Sequence, residues 1–169
     1  MRLQMDHEYR CGIETFWDKM FFDEEYNRRL FLDGLHYKFF EQLELTDRPD
    51  SVLRRVKGCP KSDIPAAVQK VIADLSYTEE LVWDKATKKA RFKNFPATMA
   101  SKLRIEGSLW AEPSGPGRCR RKVDMELEAK IFGIGGLIEN VAAKAFRENF
   151  EAAATWTNRW LAEKGLEGK

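Results

Sequence analysis

The chain has 169 residues, 43% hydrophobic and 33% charged, which is enough for one domain with a real core, and no Pro/Gly/Ser-rich linker divides it. Its 29 lysines and arginines nearly cancel 27 aspartates and glutamates, so no overall field attracts a polyanion and nucleic acid is not an expected partner. The opening MRLQMDHEYR lacks the apolar centre of a secretory signal, and no apolar run approaches the roughly 18 residues that cross a bilayer, so a cytoplasmic protein is expected.

Residues 2–9 alternate, with Leu3, Met5, His7 and Tyr9 on one side and Arg2, Gln4, Asp6 and Glu8 on the other, the pattern of a strand with one wet face. Cys11, Cys59 and Cys119 show no CxxC or Cys/His spacing; they read as reduced thiols, and neither a metal nor a cofactor is expected. From Ile13 to about Leu35 the periodicity turns helical and crowded with rings, breaking near Phe22 and Asp23, where acidic residues suit a new helix start. Two short helices therefore follow the first strand, and Asp33-Gly34 ends the second.

YKFFEQLEL (37–45) and SVLRRVKG (51–58) flank a polar, proline-bearing turn and should pair antiparallel. Between Cys59 and Leu75, Pro60, Pro65 and a brief helical patch at 66–72 mark an excursion out of the sheet. Strands resume at 77–85 and 90–95. In 102–110, Leu103, Ile105, Gly107 and Leu109 share a face; in 119–131, Cys119, Val123, Met125, Leu127, Ala129 and Ile131 do, with the turn at 113–117 between them. Lys102 and Arg104 on the outer face are placed to meet Glu126 and Glu128.

The last element organises the rest. After the glycine loop at 133–136, apolar residues from Leu137 to Leu161 recur in steps of three and four, including Ile138, Val141, Ala142, Phe146, Phe150, Trp156 and Trp160. A helix of this length is a rod of about 40 Å, and laid over a sheet it leaves either a packed seam or an elongated apolar cavity. Residues 1–164 read as one domain and 165–169 as a flexible tail.

The strand histidine in LQMDHEY, the tryptophan in ETFWDKMF, the middle DIPAAVQKVI and the run IFGIGGLIENVAAKAF resemble the START-like superfamily, also called SRPBCC or Bet v 1-like. Within it they look most like the bacterial family DUF2505. The resemblance spans nearly the whole chain and implies an α+β helix-grip fold: a curved antiparallel sheet of six to seven strands wrapped on the long C-terminal helix. It also implies a cavity between sheet and helix for hydrophobic molecules such as sterols, phospholipids, fatty acyl groups or polyketides.

On this reading His7, Tyr9, Phe39, Leu81, Trp83, Phe92, Leu103, Ile105, Val123, Met125, Leu127, Phe146, Phe150 and Trp156 line the cavity. Phe132, Gly133, Ile134, Gly135 and Leu137 form a lip at its mouth that touches a membrane surface transiently. The glycines fail the GxGxxG pattern, since Ile138 stands at the last position, so they read as a hinge and not as a phosphate loop. Nothing resembles GxSxG, HExxH or a paired nucleophilic cysteine, and no catalytic residue is assigned. The expected function is carriage of a lipid-like ligand. A cyclase or dehydratase using His7 with Tyr9 or Glu41, and a co-chaperone-like interaction module, are the alternatives.

Overall fold

The computed structural model describes residues 1–61 and 64–169, so Ser62 and Asp63, part of the expected excursion, lie outside the described residues. Strand β1 (Arg2–Tyr9) leads into α1 (Ile13–Phe16), which widens into a π turn at Trp17–Phe21. Helix α2 (Glu24–Arg29) starts at Asp23, whose carboxylate accepts from the Tyr26 N–H at 2.7 Å, and it too ends in a π turn, Leu30–Gly34. Strands β2 (Phe39–Asp47) and β3 (Ser51–Cys59) precede the short α3 (Ala66–Gln69). The chain then forms β4 (Tyr77–Asp84), β5 (Lys89–Pro96), β6 (Leu103–Gly115), β7 (Arg118–Ala129) and finally α4 (Gly135–Glu163).

The seven strands form one sheet in the order β1-β7-β6-β5-β4-β3-β2, every neighbouring pair antiparallel. Only the first and last strands are far apart in sequence from their position in the sheet: β1 crosses to pair with β7, while the rest run as a meander. At Gly107 a Cβ would come 2.5 Å from the Asp124 carbonyl oxygen, so β6 and β7 approach too closely there for any side chain. On the outer face the Arg104 guanidinium reaches Glu126 at 3.6 Å, as the charge pattern anticipates. The helix-grip arrangement is thus complete, with α4 laid on the inner face of the sheet and α1 and α2 closing one end.

The two halves of α4 are packed differently. Toward the C-terminal end Ala153, Ala154, Thr157, Trp160 and Leu161 are buried, the Tyr26 hydroxyl lies 2.6 Å from Thr157 Oγ1, and the Tyr26 and Trp160 rings meet edge to face at 5.0 Å. In the N-terminal half only Gly135, Ile138 and Ala143 are buried, and Leu137, expected on the buried stripe, is 42% exposed. At residues 165–169, read as a flexible tail, backbone hydrogen bonds join the end of the chain to the connection between β1 and α1. Gly168 N–H donates to the Arg10 carbonyl at 2.8 Å and Gly12 N–H to that of Lys169 at 2.6 Å.

Candidate functional site

Helix α4 leans on β1, β7 and the π turn after α2, so the inner face of β3 to β6 is left only partly covered. Two hollows occupy that gap. The outer one, about 180 Å³, is aliphatic: Ile64, Val68, Ile72 and Leu75 come from the α3 excursion, Leu103, Ile105 and Leu127 from the sheet, and Ile138, Val141 and Ala142 from α4. The inner one, about 140 Å³, is walled by rings, among them Tyr9, Phe16, Phe21, Tyr26, Phe92 and Phe150. They meet at a waist, since Tyr37, Tyr77, Asn94, Phe146 and Asn149 line both. Each hollow is of the size that admits one benzene-like ring, and together they reach the lower end of the roughly 300–1,000 Å³ of ordinary ligand sites.

The waist between the two hollows is polar. The Tyr37 and Tyr77 hydroxyls lie 3.4 Å apart. Burial pushes Tyr37 up to about 12 and Tyr77 well above the ordinary phenol value, so both stay protonated near neutral pH. Asn94 is 7% exposed, and among the described residues its Oδ1 has no hydrogen-bond partner. A buried amide oxygen left without a donor carries a desolvation cost of about 1–3 kcal/mol, which a ligand hydroxyl or N–H would relieve.

Two arginines face the inner hollow. Arg54 donates to Glu79 Oε1 at 2.9 Å and to the Phe21 carbonyl at 2.8 Å, with its guanidinium 4.3 Å from the Phe21 ring centroid. Arg121 is held between the Tyr9 and Phe150 rings, 5.2 and 4.5 Å from their centroids. Its Nη2 reaches His7 Nδ1 and the Phe150 carbonyl, both at 3.4 Å. His7 Nε2 in turn lies 3.3 Å from Glu151. Burial, reinforced by the Arg121 charge, lowers the His7 pKa, so the ring is neutral at pH 7, accepts from Arg121 on Nδ1 and donates to Glu151 from Nε2. Burial also pushes Tyr9 up to about 12.

The residues read from the sequence as lining divide into several groups. Leu103, Ile105 and Leu127 face the outer hollow, Tyr9, Leu81, Phe92 and Phe150 the inner one, and Phe146 both. Val123 and Met125 are 2% and 1% exposed and belong to the packed core, where neither borders a hollow. Trp83 packs on Trp17 at 5.3 Å and Phe22 at 5.7 Å between sheet and α1, so its ring fills space that the sequence reading left open. Trp156 lies over Gly34, where an added Cβ would sit 2.8 Å from the indole, and borders an outside groove together with His7. Phe39 is 39% exposed, with the Lys57 ammonium over its ring, because β2 turns Phe40 and Gln42 to the more buried side.

At the expected lip, Phe132 is completely exposed, Gly133 takes a positive φ of 76°, Ile134 packs beside Ile138, and Leu137 faces outward. Gly135 is required for another reason: a Cβ there would fall 2.3 Å from the Ala129 carbonyl oxygen. His7, Tyr9 and Glu41, the residues of the cyclase or dehydratase alternative, do not share a hollow, since Glu41 is exposed on β2 and His7 borders neither hollow, reaching the inner one through Arg121. Arg54, Asn94 and Arg121 were not among the residues read as lining. Their signal was strand parity: Arg121 alternates with Cys119 and Val123, Arg54 with Val56, and Asn94 with Ala90 and Phe92. Among the described residues no cluster of His, Cys, Asp or Glu is placed to hold a metal ion, and no helix is long and apolar enough to cross a membrane.

Comparison with known proteins agrees with this architecture. The sequence model of a family described as protein of unknown function (DUF2505) matches residues 4–161. No curated protein matches the chain. Among solved structures, the chain is similar to the Zhui aromatase/cyclase from Streptomyces sp. R1128, with TM-score 0.65, 10% identity and 94% of each chain covered. A START superfamily protein from Mycobacterium smegmatis gives TM-score 0.60 and 13% identity over 94% of this chain and 98% of that one. Norcoclaurine synthase from Thalictrum flavum gives TM-score 0.60 and 10% identity over 92% and 85%. At these identities the likeness speaks to fold alone.

Proposed function

The chain belongs to the DUF2505 family and has a START-like fold, and from that premise we propose that it binds a single-chain, lipid-like hydrophobic molecule along α4 and carries it unchanged. The observation that carries the reading is the aliphatic hollow of about 180 Å³ between the N-terminal half of α4 and the sheet, continued by the ring-walled one beyond the waist. The helix residues bordering the two, Ile138 to Ala153, span about 22 Å of axis. That is a long, narrow space, better matched to one acyl chain than to the two chains of a phospholipid. Each methylene transferred from water contributes about 0.8 kcal/mol, offset by the freedom lost on binding. Carriage has more support than a cyclase reaction, because His7, the imidazole considered for acid–base work, borders neither hollow. Phe132 and Leu137, both exposed beside the aliphatic hollow, supply the apolar lip for contact with a membrane surface.

The test is to fill the hollow. Delipidated protein should bind 1-decanol in calorimetric titration, and Ala142→Leu should weaken that binding at least tenfold while the melting temperature holds or rises. A filled seam would respond differently: overpacking it would destabilise by about 1–3 kcal/mol. That outcome, or a protein that ignores decanol, would refute the carrier reading.

A further inference from the structure

We infer that Arg121 is the receptor for an anionic head group, so that the ligand of this cavity is a hydrophobic carboxylate whose acyl chain runs through the waist into the aliphatic hollow. The inference rests on the single-chain reading above and names the chemistry of the ligand's end.

Three charged side chains border the inner hollow: Arg54, Glu79 and Arg121. The first two neutralise each other at 2.9 Å. Arg121 is the one left over. It is 7% exposed, and among the described residues it forms no ion pair with a carboxylate, Glu151 lying on the far side of His7, and its Nε has no hydrogen-bond partner. Its polar contacts are a neutral imidazole nitrogen and a backbone carbonyl, both at the long distance of 3.4 Å.

A buried cation without a counter-charge is expensive, and breaking a buried pair by removing one partner is strongly destabilising. The rings of Tyr9 and Phe150, with centroids 5.2 and 4.5 Å from the guanidinium carbon, attract the cation but cannot supply a negative charge. Its Nε, left without a partner among the described residues, belongs to the guanidinium fork in which a carboxylate meets two N–H donors at once. The rest of the space fits the same molecule. From Arg121 the ring-walled hollow leads past Asn94 and the phenols of the waist to the mainly aliphatic walls of the outer hollow, so a chain anchored by its charged end at Arg121 places its apolar end there.

The experiment compares decanoate with 1-decanol at pH 7.5 on wild type and Arg121→Gln. Decanoate should bind wild type at least tenfold tighter than decanol, and the variant should lose that preference by weakening decanoate alone. Equal affinities in wild type, or a preference that survives Arg121→Gln, would overturn the anion site while leaving the hydrophobic cavity standing. If wild type takes up neither probe, the cavity reading fails and the inference with it. Should Arg121→Gln not fold, the wild-type Arg121 Nε–H resonance decides: a shift on saturation with decanoate but not decanol supports the site, and an unmoved resonance rejects it.

Discussion

His7 sits where two opposing influences meet. Burial and the Arg121 guanidinium disfavour its protonated form, while Glu151 and Asp6 favour it, and the net direction is downward from 6.5. In the unfolded chain the ring takes up a proton near its ordinary value; in the folded protein it resists. Below pH 6.5 the unfolded state therefore binds more protons, and stability falls as pH drops from there toward the depressed folded value. His7→Gln should flatten this loss, so the drop in urea midpoint between pH 7 and pH 5 should be smaller in the variant than in wild type. Identical drops would mean that His7 is not the group responsible. The same neighbourhood shows why part of the site escaped a reading by hydrophobicity. Arg121 lies on the inner face of β7 by simple alternation, yet a pattern search for apolar residues steps over it from Cys119 to Val123. Arg54 and Asn94 escaped in the same way, because polar residues inside a cavity look like surface residues when the cavity itself is not yet known.

The elements themselves were readable because their periods are clean. Strand β5 alternates exposed and buried from Lys89 to Phe95, and the stretch from Gly135 to Glu163 keeps its helical stripe throughout. Side-chain direction was less secure where a strand carries rings on both faces. Phe39 and Phe40 stand next to each other, and it is Phe40 that stacks on Phe31, at 4.3 Å. The β-bulge between Gln42 and Glu44 adds a shift that no apolar count detects. The loop that starts α4 has the opposite character. Phe132 is fully exposed with nothing of the protein to cover it, and Gly133 at φ 76° sets the turn that projects it. If this lip contacts bilayers, Phe132→Ser should slow loading from vesicles several-fold in stopped-flow measurements while leaving equilibrium affinity for decanol unchanged. An equal loss in rate and affinity would place Phe132 in the binding site instead of at its approach.

At the scale of the whole molecule, one end of α4 is sealed by Tyr26, Trp160 and Thr157 and the other borders a hollow. The order of elements could not distinguish seam from cavity, since both use the same apolar stripe; which one forms depends on the lean of the rod toward β1 and β7. A partly hollow protein forgoes packing that its ligand restores. At a hundred times the dissociation constant, a ligand that binds only the folded state adds about 2.7 kcal/mol, which for a chain of this size raises the melting temperature by about 5–10 °C. Decanol at saturation should produce a rise of that order in calorimetry, and no rise would indicate that the bound chain lies outside the folded interior.

The tryptophans are distributed unevenly about this interior. Trp17 and Trp83 pack on each other beyond the inner hollow, Trp156 and Trp160 belong to the sealed half of α4, Trp110 lies against Lys89, and none of the five borders either hollow. Indole emission is accordingly a gauge of whether the chain is folded and is nearly blind to whether it is loaded. The four tyrosines, all of which line the ring-walled hollow or its neck, are the chromophores in a position to register a guest.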